Sequence, residues 1–283
     1  MHPLYADPSE RAALMSLLDA TWPGLAARFD AAARLGWPVG EHSTPFVTRE
    51  GGRLASHVGV LDLPVMLGGR ERRIAGLHGV CTLPEARRRG HARAALAQAM
   101  EHVAAHFGAA KLQTDKPWLY GPFGFRVVPQ HRFRLNRRGR AGPGSAPVGA
   151  EDLPWLRQVL ATRAPLSRRF AARDDGWLVG IDTVLRRGDL SLLHRVAHLD
   201  CAVAWELRGR TLLLDQVIAP RLPLLVELLA AAPWDFDAVE FRFSPDRLAP
   251  EALPQPETGE DALMVWGDWP ALPPFAVPPL EQH

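Results

Sequence analysis

An arginine-rich turn joins a strand pattern to an amphipathic helix pattern between residues 74 and 107. The stretch "IAGLHGVCTL" predicts a strand that ends before Pro84. From Ala92 onward, apolar residues recur at positions 92, 95, 96, 99, 100, 103 and 107. This three- and four-residue spacing predicts one buried helix face. Arg87, Arg88 and Arg89 therefore lie between a strand and a helix N-terminus, and this order favours an α/β fold.

The turn has the features of an anion-binding site. The first N–H groups of a helix have no partner inside the helix, and the helix macrodipole is positive at that end. Gly90 and Ala92 are small, so a phosphate can approach the backbone closely. The arginine side chains add positive charge. We predict that this turn holds a pyrophosphate, against the simpler alternative that the charges only form a solvated face.

The residue pattern of the turn limits which family of phosphate-binding proteins the chain can resemble. The GxxxxGK[ST] pattern of a Walker loop and the GxGxxG dinucleotide fingerprint are both missing from it. Residues 87–92 spell R-x-x-G-x-A, and "KLQTDKPWLYGPFGFRVV" follows at 111–128. Together with the preceding strand and the following helix, this resembles motif A of the GNAT superfamily of acyl-CoA-dependent N-acetyltransferases. The resemblance covers residues 1 to about 140 and is strongest over 78–126.

The resemblance implies direct transfer of an acetyl group from acetyl-CoA to a primary amine in a ternary complex. It implies that the backbone of one strand pairs with the pantetheine arm and that N–H groups of residues 88–93 hold the pyrophosphate. No metal is implied. The expected co-substrate contacts are Val80, Cys81, Thr82, Arg87, Arg88, Arg89, Gly90, His91, Ala92 and Arg93.

The family segment ahead of "GPFGF" presents a tyrosine to the thioester sulfur, and in this chain that residue is Tyr120. We expect Tyr120 to protonate the departing thiolate; the alternative is that it is a core residue. The general base is open between His78, which we expect to share a strand face with Val80 by period two, and His57. Glu85 or a chain of water molecules could serve instead.

Cys81 could also act as a nucleophile, but the family needs no acyl-cysteine, so we expect it to be a small strand residue. Cys81 and Cys201 match no metal or redox spacing.

The chain is expected to divide near residue 140, where residues 137–152 are rich in Gly, Pro and Ala. The second half repeats the strand, strand, helix, strand order without R-x-x-G-x-A. We therefore predict two tandem GNAT-like domains of the α/β (α+β) class, over 1–140 and 141–283. Each is a mixed, mostly antiparallel sheet flanked by helices. The second is degenerate, so one acetyl-CoA is expected per chain.

The second half resembles the central domain of the enhanced-intracellular-survival type of aminoglycoside acetyltransferase. The sterol-carrier-like domain of those enzymes, whose C-terminal carboxylate acts as base, does not fit in the remaining length. That role therefore does not transfer to His283. Acidic residues of this half could line a pocket for a cationic amine, although each is more often solvated: Asp200, Glu206, Asp215 and Glu240.

The net charge of 283 residues is only +2, which gives no general case for nucleic acid or an anionic membrane. The basic stretch 123–140 suits an edge strand with one wet face. No signal peptide or spanning segment is expected, and a reducing cytoplasm fits best. The acceptor and the oligomeric state stay open. A non-catalytic acyl-CoA sensor is the alternative function.

Overall fold

The computed structural model describes residues 2–259 and 261–282. Its helices are α1 (Pro3–Ala6), α2 (Pro8–Asp19), α3 (Leu25–Arg34), α4 (His91–His106), α5 (Pro117–Tyr120), α6 (Leu153–Thr162), α7 (Trp177–Arg187) and α8 (Leu225–Ala230). Its strands are β1 (Ser43–Glu50), β2 (Arg53–Leu67), β3 (Arg70–Thr82), β4 (Ala109–Thr114), β5 (Arg126–Val127), β6 (His131–Leu135), β7 (Ala146–Pro147), β8 (Phe170–Ala172), β9 (His194–Val196), β10 (Cys201–Arg208), β11 (Thr211–Ile218), β12 (Ala238–Phe241), β13 (Leu253–Pro256) and β14 (Ala262–Gly267). Within the described ranges, no helix has the length and apolar character needed to cross a membrane.

The strands form two mixed sheets flanked by helices, which confirms the predicted fold class. The first sheet has the order β1-β2-β3-β4-β14-β5, with β8 paired to β2. The second has the order β13-β6-β12-β11-β10-β9-β7. Strand pairing is antiparallel except between β3 and β4 and between β11 and β12. The predicted repeat in the second half is present as β10, β11, α8 and β12.

Strands cross the division that the sequence predicts at residue 140. β6 precedes residue 140 but lies in the second sheet, between β13 and β12. β14 comes from the end of the chain but lies in the first sheet, antiparallel to both β4 and β5. A boundary at residue 140 therefore does not separate the two sheets, and the division of the chain into two domains at this point stays a prediction.

Helices cover both faces of the first sheet. α4 packs on one face through Ala95, Leu96, Ala99 and Val103, which are fully buried and belong to the predicted stripe. α2 and α3 pack on the opposite face together with α7, which joins the same core. The sequence reasoning did not identify α7, which packs against α3 and adds residues of the second half to the apolar core on this side of the first sheet.

The proline-rich segment after β14 is irregular but closely packed. Proline removes a backbone donor, so this segment cannot form a full strand ladder. It instead buries apolar side chains, among them Trp269, Phe275, Val277 and Leu280. Glu281 is also buried, and its carboxylate accepts hydrogen bonds from Ala172 N and from Gln216 Nε2 at 2.7 and 2.8 Å.

Lys111 fastens this segment to the first sheet. It lies on β4, is 1% exposed, and its Nζ donates to the carbonyl oxygens of Glu281 and Gln282, each at 2.7 Å. Burial lowers the pKa of Lys111 from its ordinary value near 10.5 to about 8, and this fall is opposed by the charges of Asp182 and Glu281. The ammonium is therefore stabilised by its hydrogen-bond acceptors, whereas its removal from water costs free energy.

This lowered pKa predicts a pH dependence of stability. Between about pH 8 and pH 10 the unfolded chain binds the Lys111 proton while the folded chain has released it. The contribution of Lys111 to the free energy of unfolding therefore rises with pH in this window, by about 1 kcal/mol per unit. Urea unfolding should show that the free energy of unfolding of wild type rises relative to that of Lys111→Met as the pH increases from about 8 to 10. Parallel pH curves would contradict the assignment.

Candidate active site

The strands β3 and β4 are paired only briefly before they diverge. The parallel register joins Ala75 to Ala110 and Gly76 to Lys111 and goes no further. Beyond these pairs, β3 is paired with β2 alone, through residues 77, 78, 81 and 82. Their other edge faces a gap toward β4, so β3 presents backbone donors and acceptors to anything that enters the gap.

A β-bulge at Gly79 reverses the side-chain order along this edge. Gly79 has a φ of +58°, and the register with β2 shifts at this point. Leu77 and Val80 consequently both pack toward α4, whereas His78 lines a cavity on the opposite face. The expectation that His78 and Val80 share a face is therefore wrong, because the bulge inserts one residue into the alternation.

The loop before α4 exposes a series of backbone donors. Arg88 and Gly90 have φ values of +62° and +86°, and Gly90 is the N-cap of the 16-residue helix α4. Within the described ranges, no backbone N–H of residues 88–93 donates a hydrogen bond. A Cβ built on Gly90 meets nothing within 4 Å, so the space outside the loop is open. These donors and the positive helix end together favour an anion.

The side chains of the loop divide into two groups. Arg87 Nε donates to the carbonyl of Thr82 at 3.3 Å, and Arg89 forms an exposed ion pair with Glu50 at 2.5 Å. His91 Nδ1 lies 3.1 Å from Thr48 Oγ1. These contacts hold the loop against β1 and the end of β3. Ala92 is half-buried, while Arg88 and Arg93 extend from the loop as exposed side chains.

Tyr120 lies at the end of α5, on the α4 side of the first sheet. It is 5% exposed, it packs edge-on against Phe125 at 6.1 Å between ring centroids, and its hydroxyl is hydrogen-bonded to the Thr114 side chain. Burial raises the pKa of Tyr120 to about 12. The phenol therefore keeps its proton at neutral pH and can act only as a donor to a developing anion. Tyr120 and Val80 border the same apolar cluster.

A cavity of about 340 Å³ lies on the opposite face of the sheet, at the bulge. It is bordered by α2 and α3, by the middle of β2 and β3, and by α7. Its lining includes His57, His78 and Gly79 from the strands and Asp182 from α7. Asp182 was missed by the sequence reasoning, although it is the only charged residue in the otherwise apolar stretch "WLVGIDTVL".

The hydrogen bonds of His57 define its tautomer. Its Nδ1 lies 2.8 Å from the carbonyl oxygen of Gly79 and must carry the proton that this oxygen accepts. Nε2 therefore holds the lone pair, and it is a buried atom without a hydrogen-bond partner within residues 2–259 and 261–282. Burial lowers the pKa of His57 to about 4, so the ring is neutral at physiological pH.

His78 connects this cavity to a second one. Its Nε2 lies 2.8 Å from Ser43 Oγ, and Ser43 is in turn hydrogen-bonded to Tyr5. A Cβ on Gly59 would lie 2.2 Å from this Nε2, so only glycine leaves room for the imidazole. Ser43 also lines a polar cavity of about 650 Å³ that reaches His102 and His106 at the C-terminal end of α4. The larger cavity is therefore distant from the donors at the α4 N-terminus.

The remaining candidates lie outside this arrangement. Glu85 is exposed in the turn after β3, and His283 lies outside the described residues. Of the acidic residues in the second half, Asp200 accepts from Trp155 Nε1 at 2.7 Å, and the others face arginines of the second sheet. Those others are Glu206, Asp215 and Glu240.

One family model matches within the first half of the chain. Residues 9–128 match the family model of the acetyltransferase (GNAT) domain. No curated protein matches the chain by sequence.

Solved structures match over most of the chain. A GCN5-related N-acetyltransferase from Kribbella flavida is 14% identical with a TM-score of 0.57, and the match covers 91% of this chain and 68% of that one. A probable N-acyltransferase from Enterococcus faecalis V583 is 13% identical with a TM-score of 0.60, over 91% and 70%. Eis1 from Mycobacterium abscessus is 17% identical with a TM-score of 0.61, over 92% and 71%. At these identities the chain shares their fold.

The environment of the two cysteines predicts that both are unreactive. Burial raises the pKa of Cys81 to about 11 and that of Cys201 to about 12, and the thiolate is the reactive form. In native protein near pH 8, an aromatic disulfide reagent should therefore label neither thiol, and after unfolding it should label both. Rapid labelling of Cys81 in the native state would restore it as a candidate nucleophile.

Proposed function

Because residues 9–128 match a GNAT acetyltransferase domain, we propose that the chain transfers an acetyl group from acetyl-CoA to a primary amine. One observation carries the proposal. The loop of residues 88–93 directs its backbone donors outward at the start of α4, next to the gap between β3 and β4. A linear co-substrate with a pyrophosphate and an amide-bearing arm fits this arrangement.

The two parts of the co-substrate have distinct contacts in this proposal. The pyrophosphate accepts from the N–H groups of residues 88–93, with Arg88 and Arg93 as exposed counter-charges. The pantetheine amides pair with the edge of β3 at Val80, Cys81 and Thr82, as an added strand would. A hydrogen bond to a charged group contributes about 1.5–3 kcal/mol, so several loop donors together can anchor the molecule.

In this proposal the thioester lies in the gap between β3 and β4. Tyr120 lies on the α4 side and His78 on the cavity side, and the acetyl carbon lies between them when the arm follows β3 to the bulge. The neutral amine attacks the carbonyl carbon, the C–N bond forms, and the C–S bond breaks. Tyr120 donates to the sulfur as negative charge develops there.

The proton that CoA gains can be supplied by the reacting amine, so no external acid is needed. A thiol has a pKa near 8.5, so full transfer from the Tyr120 phenol to a thiolate is uphill. The proton that ends on CoA therefore comes finally from the attacking nitrogen, which loses one as the amide forms. His78 is the proposed proton acceptor on the cavity side. Its hydrogen bond to Ser43 offers a route toward the larger, polar cavity.

In the second half, as far as its residues are described, the connection between β11 and the following helix differs from the loop of residues 88–93. β11 and β12 are paired in parallel over four residues, from Thr211 with Ala238 to Leu214 with Phe241. The helix that follows β11 begins at Leu225, after Pro220 and Pro223, and its N-cap Leu224 has an extended backbone rather than a left-handed one. We therefore expect one acetyl-CoA per chain.

A screen for released CoA thiol, with acetyl-CoA and a panel of primary amines, tests the activity directly. Thiol release that depends on both the enzyme and an amine supports transfer. Tight binding of acetyl-CoA without release for any amine would instead make the chain an acyl-CoA-binding protein.

Gly90→Val should abolish acetyl-CoA binding. The φ of +86° at this position is strained for valine, so the loop would relax and its donors would no longer converge. Calorimetric titration should give one site per wild-type chain and none in the variant. Gly209→Val is the matched control, since Gly209 also has a positive φ and open space but lies in the β10–β11 turn. Unchanged affinity in a folded Gly90→Val protein would refute the pyrophosphate assignment.

Tyr120→Phe should lower kcat by about 10²–10⁴-fold, the usual contribution of general acid catalysis. The ring remains and only the proton donor is lost, so acetyl-CoA affinity should change little. Steady-state kinetics with any accepted amine measure the effect. A loss of less than about threefold, in a variant with wild-type thermal stability, would mean that the thiolate leaves without this hydroxyl.

A further inference from the structure

The cavity beside Gly79 has a composition that discriminates between classes of amine. Its volume of about 340 Å³ lies near the lower limit of ligand pockets, which span about 300–1,000 Å³. Most of its wall is apolar or aromatic, and this part consists of Tyr5, Leu18, Trp22, Pro23, Leu25, Phe29 and Leu185. Trp22, one of these lining residues, is 40% exposed.

The polar groups of the cavity are few and concentrated at its inner end. His57 and His78 come from the strands next to the bulge, and the carboxylate of Asp182 belongs to α7. Asp182 is 6% exposed. Arg28 also lines the cavity, and its guanidinium donates to the carbonyl oxygen of Leu185 at 2.6 Å. Asp182 is the one carboxylate among these lining residues, and it also interacts with the buried Lys111 ammonium. A ligand with several ammonium groups would therefore meet no further anion in this lining.

We propose, on the basis of the acetyl transfer proposed above, that this cavity binds the acceptor as a small primary monoamine that carries one aryl or branched-alkyl group. The apolar group packs among Trp22, Phe29 and Leu185, and the nitrogen points to the bulge. Polyamines, aminoglycosides and lysine side chains of proteins are the competing classes. They carry additional charge or bulk that this wall does not match.

His57 orients the nitrogen in this arrangement. Its protonated Nδ1 is held by the Gly79 carbonyl, so Nε2 presents a lone pair that can accept an N–H of the amine. The carboxylate of Asp182 supplies the negative charge on the α7 side. The two contacts come from opposite halves of the chain. This would give the packing of α7 against α3 a role in acceptor binding.

The test compares three probes on the full chain: 2-phenylethylamine, spermidine and kanamycin. We expect kcat/KM for 2-phenylethylamine to exceed that for either polycation by about tenfold or more, because only its ring is buried. Binding of the same probes, followed by calorimetry without acetyl-CoA, gives a readout that does not depend on turnover.

Two substitutions locate the probe. Leu185→Trp fills the cavity from α7 and should abolish 2-phenylethylamine binding while acetyl-CoA binding is unchanged. Asp182→Asn should raise KM for 2-phenylethylamine by about tenfold to a hundredfold, the effect of losing one charged hydrogen bond. Asp175→Asn is the control, because Asp175 is an exposed carboxylate just ahead of α7.

The outcomes separate this proposal from the one on which it rests. If 2-phenylethylamine binds and Leu185→Trp abolishes binding, but no amine is acetylated, the cavity assignment stands and acetyl transfer fails. If thiol release is faster with spermidine or kanamycin, or is unaffected by Leu185→Trp, acetyl transfer stands and the monoamine assignment is overturned.

Discussion

The short parallel contact between β3 and β4 is the constraint on which the site depends. Had the two strands stayed paired to their ends, the edge of β3 would be closed by β4 and no arm could lie along it. The separation also places the start of α4 beyond the end of β3, where its first donors face solvent. The bulge at Gly79 then directs His78 and Val80 to opposite faces. The strand divergence thus opens the gap, and the bulge places His78 at the cavity.

Buried charge joins the two halves around this gap. Lys111 extends from the last residue pair between β3 and β4 to carbonyls of the chain's final segment, and it interacts with Asp182 and Glu281. Such contacts specify one arrangement, because a buried ammonium without acceptors is costly. The second half therefore does more than cover one face of the first sheet. It supplies β14, the acceptors for Lys111 and a carboxylate in the cavity wall.

Local patterns in the sequence predicted the strand, turn and helix of residues 74–107, as well as the succession of β10, β11, α8 and β12 along the second half. Helix and strand periodicities report only which residues share a face. They therefore reveal neither the element against which α7 packs nor the pairing of β14 with β4, two strands that are far apart in the sequence. The face of His78 was predicted wrongly because one bulge residue shifts the alternation. An isolated glycine within a strand pattern, Gly79, was the available signal. Asp182 could have been noticed as a lone charge in an apolar helix.

The position of β14 also affects how the protein is made. About 150 residues separate the end of β4 from the start of β14, and a ribosome adds about 5–20 residues per second. For roughly 7–30 s the nascent first sheet has an open edge at β4, and Lys111 has none of its carbonyl acceptors. Open edges invite pairing with other chains. Synthesis rate and chaperone access over this interval are therefore expected to influence the yield of active protein.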